Sequence, residues 1–262
     1  MQAASQNLVI LGASSDIGIE LTRKAVERAN YKLLLVTRRS RVKMKKSLEQ
    51  AGMQMLPNND RSRYLHDINL MEEKDLLKLR KTTQDFFNTP FSVVHSVGEF
   101  WYHKPLIETE FSEIRSMYES HYLTFAGAAY ALVPVLIQKG GGRIVAFSCN
   151  SVLYNYPDMS PFTSAKAAIE SFVKCLANEY AEQRVASTAL ALPTILTKKV
   201  LEGKVLKNQE NYVSPEELAD IVLNNVLCLP HTVSGNVQKI FKYNRTFYHS
   251  GYFNRNPRGQ KG

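Results

Sequence analysis

Apolar runs alternate along this chain with amphipathic segments. The first run, "NLVILG", is short, continuous and closed by glycine, the pattern of a strand buried on both faces. "SSDIGIELTRKAVERAN" follows, with Ile17, Leu21 and Val26 recurring at roughly helical spacing. "YKLLLVTRR" predicts a second strand, "SRVKMKKSLEQAG" a helix, "RYLHDI" a strand and "MEEKDLLKLRKTTQDF" a helix. "FSVVHSVG" predicts the fourth strand, and Glu113 to Gln138 reads as one long helix. Beyond it come a strand in "GGRIVAFSCNS", a helix in "SAKAAIESFVKCLANEYAEQ" and a strand in "VASTALALP". "SPEELADIVLNNVLCL" opens on an N-cap serine and a proline, and "GNVQKIFKY" supplies a last strand.

This alternation predicts an α/β protein: a single-domain, Rossmann-like, doubly wound parallel sheet with helices on both faces and right-handed crossovers. A chain of 262 residues fits one such core. No repeat, low-complexity segment or linker divides it. The expected domain spans residues 1–241, and 242–262 form a basic, aromatic tail. The uneven stretch 195–212 has the length of a functional lid.

Composition narrows the classes. The chain is 44% apolar and 22% charged, as soluble globular proteins are. No run approaches the eighteen or so apolar residues that span a bilayer, so no membrane span is expected. "MQAASQNLVILGASS" lacks the basic start and long apolar stretch of a secretory signal. Cys149, Cys175 and Cys228 are odd in number, widely spaced and without metal spacing. They fit a reducing compartment, and a cytoplasmic location is expected, with no metal site.

The net charge of +9 is clustered: the last 21 residues hold five Lys/Arg and no Asp/Glu, leaving +4 for the rest. A second cluster is "RRSRVKMKK" at 38–46. Clustered cations suit nucleic acid, and the tail interleaves them with Tyr243, Phe247, Tyr248, Tyr252 and Phe253. No recognised nucleic-acid module accompanies them. An anionic cofactor at the first cluster and a solvated or subunit-contacting tail at the second is the simpler expectation.

Chemistry begins at the first strand–helix turn, "LGASSDIG". Gly12 ends the strand, Gly18 lies one turn into the helix, and Ala13, Ser14 and Ser15 between them are small. Such a turn lets backbone N–H groups and the positive helix end approach a pyrophosphate. The second strand ends "VTRRS" without the acidic residue that binds a ribose 2′-OH. Arg38 and Arg39 instead suit a 2′-phosphate, which favours NADP(H) over NAD(H).

Over almost its whole length the chain resembles the short-chain dehydrogenase/reductase family. That family's TGxxxGxG motif is matched at Gly12 and Gly18, with Leu11 for its threonine and Asp16 for its middle glycine. The resemblance implies a nucleotide cradle of Gly12, Ser14, Ser15, Asp16, Ile17 and Gly18. It implies adenine contacts from Asp67 and Ile68, and places "HSVG", with Ser96 and Gly98, at the family's NNAG. In "ALPTILTKK" it implies nicotinamide contacts from Pro193, Thr194 and Thr197.

The active-site half departs from the pattern. The family's YxxxK stands here as Phe162-Thr-Ser-Ala-Lys166. Thirteen residues before the aromatic, the family's serine position holds Cys149, with Ser148 just ahead. In "YESHYL", His121 stands for the family's asparagine. Of the four positions only Lys166 is retained, and its implied role is to bond the nicotinamide ribose. Losing a positioned general acid forfeits about 10²–10⁴ in rate, without abolishing transfer from a well-oriented donor. Substitute proton sources are Tyr154, Tyr156, the Cys149 thiol, and His121, expected to titrate near neutrality if it faces the cleft. Each also has a plain packing role.

Two readings follow. One is an atypical NADPH-dependent carbonyl reductase taking a small-molecule carbonyl. The other is an inactive scaffold that binds NADP(H) as a regulatory or hetero-oligomer subunit. The resemblance also implies a homo-dimer or homo-tetramer.

Overall fold

The computed structural model describes residues 6–203 and 212–242. Of the basic tail only Lys242 is therefore included, and its aromatic residues lie outside the described residues, as does part of the stretch 195–212. The strands are β1 (Gln6–Leu11), β2 (Tyr31–Val36), β3 (Ser62–Leu65), β4 (Phe91–His95), β5 (Gly142–Cys149), β6 (Val185–Leu192) and β7 (Asn236–Lys239). They form one seven-stranded sheet in the order β3-β2-β1-β4-β5-β6-β7, every neighbouring pair parallel. The order reverses between β1 and β4, which opens a crevice beyond the strands' carboxyl ends.

The strands sort their side chains with a period of two. Val9, Leu11, Leu34, Val36 and Val93 face one apolar layer, which takes in α3 (Glu73–Phe86) and α5 (Thr124–Gln138). Leu8, Ile10, Leu33, Leu35 and Val94 face the other, with α1 (Asp16–Glu27) and α2 (Arg41–Gln50). Burial on both faces explains why these strands are nearly unbroken apolar runs. The sheet predicted from the alternation is the sheet observed.

The long helix begins two residues earlier than Glu113, as α4 (Phe111–Met117), because Glu110 and Glu113 form a reciprocal capping box. It passes through a π-helical stretch, Tyr118–Leu123, into α5. By length and composition this 28-residue rod could cross a membrane, although no such segment was expected from the apolar runs. Here its inner face, including Phe125, Leu132 and Leu136, is fully buried in the core.

Two short helices, α6 (Ser151–Tyr154) and α8 (Lys198–Gly203), border the crevice, and α7 (Ser160–Glu179) carries Lys166. α9 (Pro215–Ile221) starts on the expected serine: Ser214 Oγ accepts from the Glu217 N–H at 3.0 Å, and the Glu217 carboxylate accepts from the Ser214 N–H at 2.8 Å. It ends sooner than the pattern implies, in a π-helical turn at Val222–Val226. Just beyond, the guanidinium of Arg143, fully buried on β5, gathers four acceptors. Nη1 donates to Thr188 Oγ1 (2.6 Å) and the Val233 carbonyl (2.9 Å). Nη2 donates to the carbonyls of Pro230 (2.8 Å) and Leu229 (3.2 Å).

Candidate active site

The crevice holds a cleft of about 1430 Å³. Its first wall is the glycine turn. Gly12 has φ +83°, the left-handed region glycine tolerates, and a Cβ there would lie 2.8 Å from the Ser96 carbonyl oxygen. A Cβ on Gly18 would lie 2.3 Å from the Gly12 oxygen, so Gly18 serves the packing of α1 onto the turn and sits behind the wall. Ser15 caps α1, its Oγ accepting from the Gly18 N–H at 3.0 Å. Ser14, Ser15, Asp16 and Ile17 all line the cleft at the start of this twelve-residue helix, where unsatisfied N–H groups favour an anion.

Asp16, the departure from the glycine pattern, has a partner the sequence did not reveal. Its Oδ2 accepts from the Lys198 N–H at 2.6 Å, tying the start of α8 across the turn. We expect Asp16→Ala to leave the fold intact and speed hydrogen exchange at the Lys198 amide by about tenfold, the loss of one charge-assisted bond. Unchanged exchange would show that the bond does not hold α8.

At the end of β2, Thr37 Oγ1 pairs with Ser14 Oγ at 2.8 Å and accepts from the Arg39 N–H at 3.0 Å. The Arg39 guanidinium donates to Ser47 Oγ on α2. Arg38 and Arg39 are exposed on the cleft rim and also line a side recess with Ser40 and Lys43. Asp67, at φ +57°, lies in that recess opposite the arginines and not on the main wall, where Ile68 and Asn69 are found. Thr37, Ser47 and Asn69 escaped the sequence reading. Their proximity in sequence to Arg38, Arg39 and Ile68 is the one signal that pointed to them.

Ser96, Gly98, Pro193, Thr194 and Thr197 line the middle of the cleft. Ser96 Oγ donates to the Leu11 carbonyl at 2.8 Å and lies 3.3 Å from Ser15 Oγ, fastening the end of β4 to the turn. Gly98 has no room for a side chain, because a Cβ would sit 2.3 Å from the His121 ring.

That ring belongs to the π-helical stretch and is 3% exposed. His121 Nε2–H donates to the Glu99 carbonyl at 3.0 Å, which leaves Nδ1 as the lone-pair nitrogen. Nδ1 is buried without a hydrogen-bond partner. Burial first, then the charge of Lys166, holds the imidazole well below its ordinary pKa. The expectation that His121 titrates near neutrality is therefore corrected: it is neutral, and its one N–H is committed. His95 on β4 is also buried. It donates from Nε2 to Thr124 Oγ1 at 3.1 Å, since the Thr124 hydroxyl itself donates to the Ser120 carbonyl, and burial pushes it down to about 3.

Lys166 forms the floor, 6% exposed. Its Nζ donates to the Phe147 carbonyl at 2.8 Å and stands 5.5 Å from the centroid of the Phe162 ring. His121 meets the same ring edge-on, centroids 5.2 Å apart. Cys149 ends β5 on the cleft wall, its Sγ accepting from the Ser151 N–H at 3.4 Å. Ser148 is engaged with Glu170, donating to Oε1 at 2.6 Å. Tyr154 and Tyr156 stack at the mouth, centroids 5.5 Å apart. Tyr156 and Phe162 pack against Trp101, Met117 and Met159.

Burial lowers the Lys166 pKa to about 8, from 10.5 in the unfolded chain, with Cys149 opposing the shift. Between those values the unfolded chain binds more protons, so stability rises with pH across that window. We expect Lys166→Met to remove this slope and to stabilise the protein at pH 7 by about 1–3 kcal/mol, read from urea unfolding at pH 7 and pH 10. Equal pH slopes in the two proteins would contradict a strained buried ammonium.

The family model for short chain dehydrogenases matches residues 6–204. The chain belongs to the short-chain dehydrogenase family. A fatty acyl-CoA reductase of Acinetobacter baylyi is 24% identical to this short-chain dehydrogenase over 238 residues, 88% of this chain and 76% of the relative. A short-chain type dehydrogenase/reductase from Mycobacterium ulcerans superposes with a TM-score of 0.78 at 15% identity, covering 92% of this chain and 90% of that one. ElxO carrying a tyrosine-to-phenylalanine change, solved with NADPH bound, superposes at 0.75 with 16% identity, over 90% and 96% of the two chains. At such identities the structural likeness speaks to the fold, and it matches the sheet described above.

Proposed function

We propose that this short-chain dehydrogenase is an NADP(H)-dependent carbonyl reductase with an atypical active site. The observation that carries the reading is Lys166, buried at the floor of the same cleft whose far wall is the glycine turn and the start of α1. The residues present fit the cofactor. Gly12 to Ile17 and the start of α1 would hold the pyrophosphate, Arg38 and Arg39 the 2′-phosphate, and Ile68 the adenine. Lys166 would hold the nicotinamide ribose, and Pro193, Thr194 and Thr197 the nicotinamide amide. Bound there, the cofactor supplies a hydride to a carbonyl carbon. The chain orients that carbonyl between Lys166, Cys149 and the tyrosines of the mouth, and the apolar side of Phe162 keeps water from the reacting carbon.

Neighbours of this fold support a nicotinamide cofactor, including the ElxO variant that holds NADPH with phenylalanine in place of a tyrosine. Fluorescence titration tests the assignment. NADPH should bind more tightly than NADH, and the double change Arg38→Ala, Arg39→Ala should weaken NADPH by about 10- to 100-fold while sparing NADH. Equal loss for both nucleotides would remove the arginines from the 2′-phosphate site.

One observation favours the second reading, an NADP(H)-binding subunit without turnover. Phe162 belongs to the apolar cluster of Trp101, Met117 and Met159, where a polar reacting group would be poorly solvated. Both readings require the cofactor site and part only on transfer. A homo-oligomer completes the proposal, supported by the exposed Tyr118, Leu123, Tyr130 and Ile137 along the long rod.

A further inference from the structure

An ammonium carries three N–H donors, and Lys166 commits one, to the Phe147 carbonyl. No carboxylate pairs with it among the described residues. The nearest aromatic surface, Phe162, offers a π face and no lone pair. On another side of that ring lies His121, whose Nδ1 is buried against Gly98 and does not open to the cleft. One apolar ring in the cleft is thus bordered by a cation with two N–H bonds that no protein group among the described residues takes up.

These N–H bonds suit a carbonyl oxygen on its way to a hydroxyl. A carbonyl oxygen accepts and cannot donate, and Lys166 offers it a donor. We propose that Lys166 itself delivers the proton to the carbonyl oxygen. The inference rests on the reductase reading above.

The step balances with a reduced nicotinamide as the hydride donor. The hydride adds to the carbonyl carbon with its electron pair, and the carbon–oxygen π pair moves onto oxygen. Oxygen forms its O–H bond with a proton from Nζ, whose N–H pair stays on nitrogen as a neutral amine. The amine regains a proton from solvent, and the nicotinamide leaves oxidised.

The groups that face Lys166 leave it as the acid. His95 from β4 and His121 from the π-helical stretch are neutral, each with its N–H committed. Glu170, one turn along α7, is engaged by Ser148. Cys149 on β5 favours the charged lysine. The lowered pKa of Lys166 supports the geometry, since an acid works best when its pKa lies near the working pH.

Two measurements test the inference. The first is nitrogen-15 NMR of lysine side chains in the protein without nucleotide, with the signal lost in Lys166→Arg taken as Lys166. It should titrate near pH 8, and an ammonium that stays protonated to pH 10 overturns the proposal. The second is single-turnover transfer of deuteride from 4-deuterated NADPH to decanal and to cyclohexanone as probe carbonyls, across pH 6–10. The rate should fall about tenfold per pH unit above the lysine's titration point, and Lys166→Arg should be slower by about 10²-fold or more with a flat profile. Transfer that keeps its rate and profile in Lys166→Arg overturns the role of Lys166 and leaves the reductase reading standing. No transfer to either probe by the wild-type protein overturns both.

Discussion

Phe162→Tyr should raise carbonyl reduction by about 10²-fold, within the 10²–10⁴ that a positioned general acid contributes. The position is already arranged for a phenol. Lys166 Nζ stands 5.5 Å from the ring centroid, close enough for its charge to favour an ionised phenol and so sharpen it as an acid. His121 packs edge-on against the same ring, holding its plane. The added hydroxyl faces one cost, the apolar company of Met117, Met159 and Trp101, which the uncommitted N–H bonds of Lys166 offset. The gain should come in kcat, with NADPH affinity little changed, because no nucleotide-facing group moves. The pH dependence should follow the phenol in place of the lysine. A variant that folds and binds NADPH yet transfers no faster would show that the site does not hold a carbonyl at this ring.

The largest expected loss of stability lies outside the cleft. Arg143→Met should destabilise the protein by about 3–4 kcal/mol, measured by urea unfolding at neutral pH. The guanidinium is buried, and its two terminal nitrogens donate to the Thr188 hydroxyl and the carbonyls of Leu229, Pro230 and Val233, while Nε is left without a partner among the described residues. Methionine fills similar volume but donates nothing, so the three carbonyls at the foot of the last crossover lose a shared donor in a place water reaches poorly. Burial lowers the pKa of the guanidinium without a carboxylate to oppose it, so its hold depends on those four acceptors. A loss below about 1 kcal/mol would mean that the 229–233 segment finds other donors.

What the sequence made legible is local. Strands β1, β2 and β4 are apolar runs because both their faces are covered, and that burial is written in adjacent residues. The glycine turn shows itself as well, since Gly12 and Gly18 answer to a backbone angle and a close approach a few residues apart. The site resisted where it depends on contacts between distant segments. Asp16 and Lys198 meet across 182 positions, and nothing near Asp16 announces a partner. The neutrality of His121 follows from burial, from Lys166 and from a bond to Glu99, none of them visible in "YESHYL". Asp67 stands in the side recess because its backbone takes a left-handed turn, which its residue type permits but does not require. Lys166 was legible as a position. Its two uncommitted N–H bonds became visible only once every neighbour could be named.

The measurement that tests the central claim most directly is deuterium transfer by the unmodified protein. NADPH deuterated at the transferring carbon is mixed with stoichiometric protein and a panel of aldehydes and ketones, and the alcohols are analysed by mass spectrometry. A carbonyl reductase places one deuterium on the carbinol carbon of at least one alcohol, dependent on the protein and lost with Lys166→Met. Tight NADPH binding with no deuterium in any alcohol would contradict the account and leave a nucleotide-binding subunit in its place.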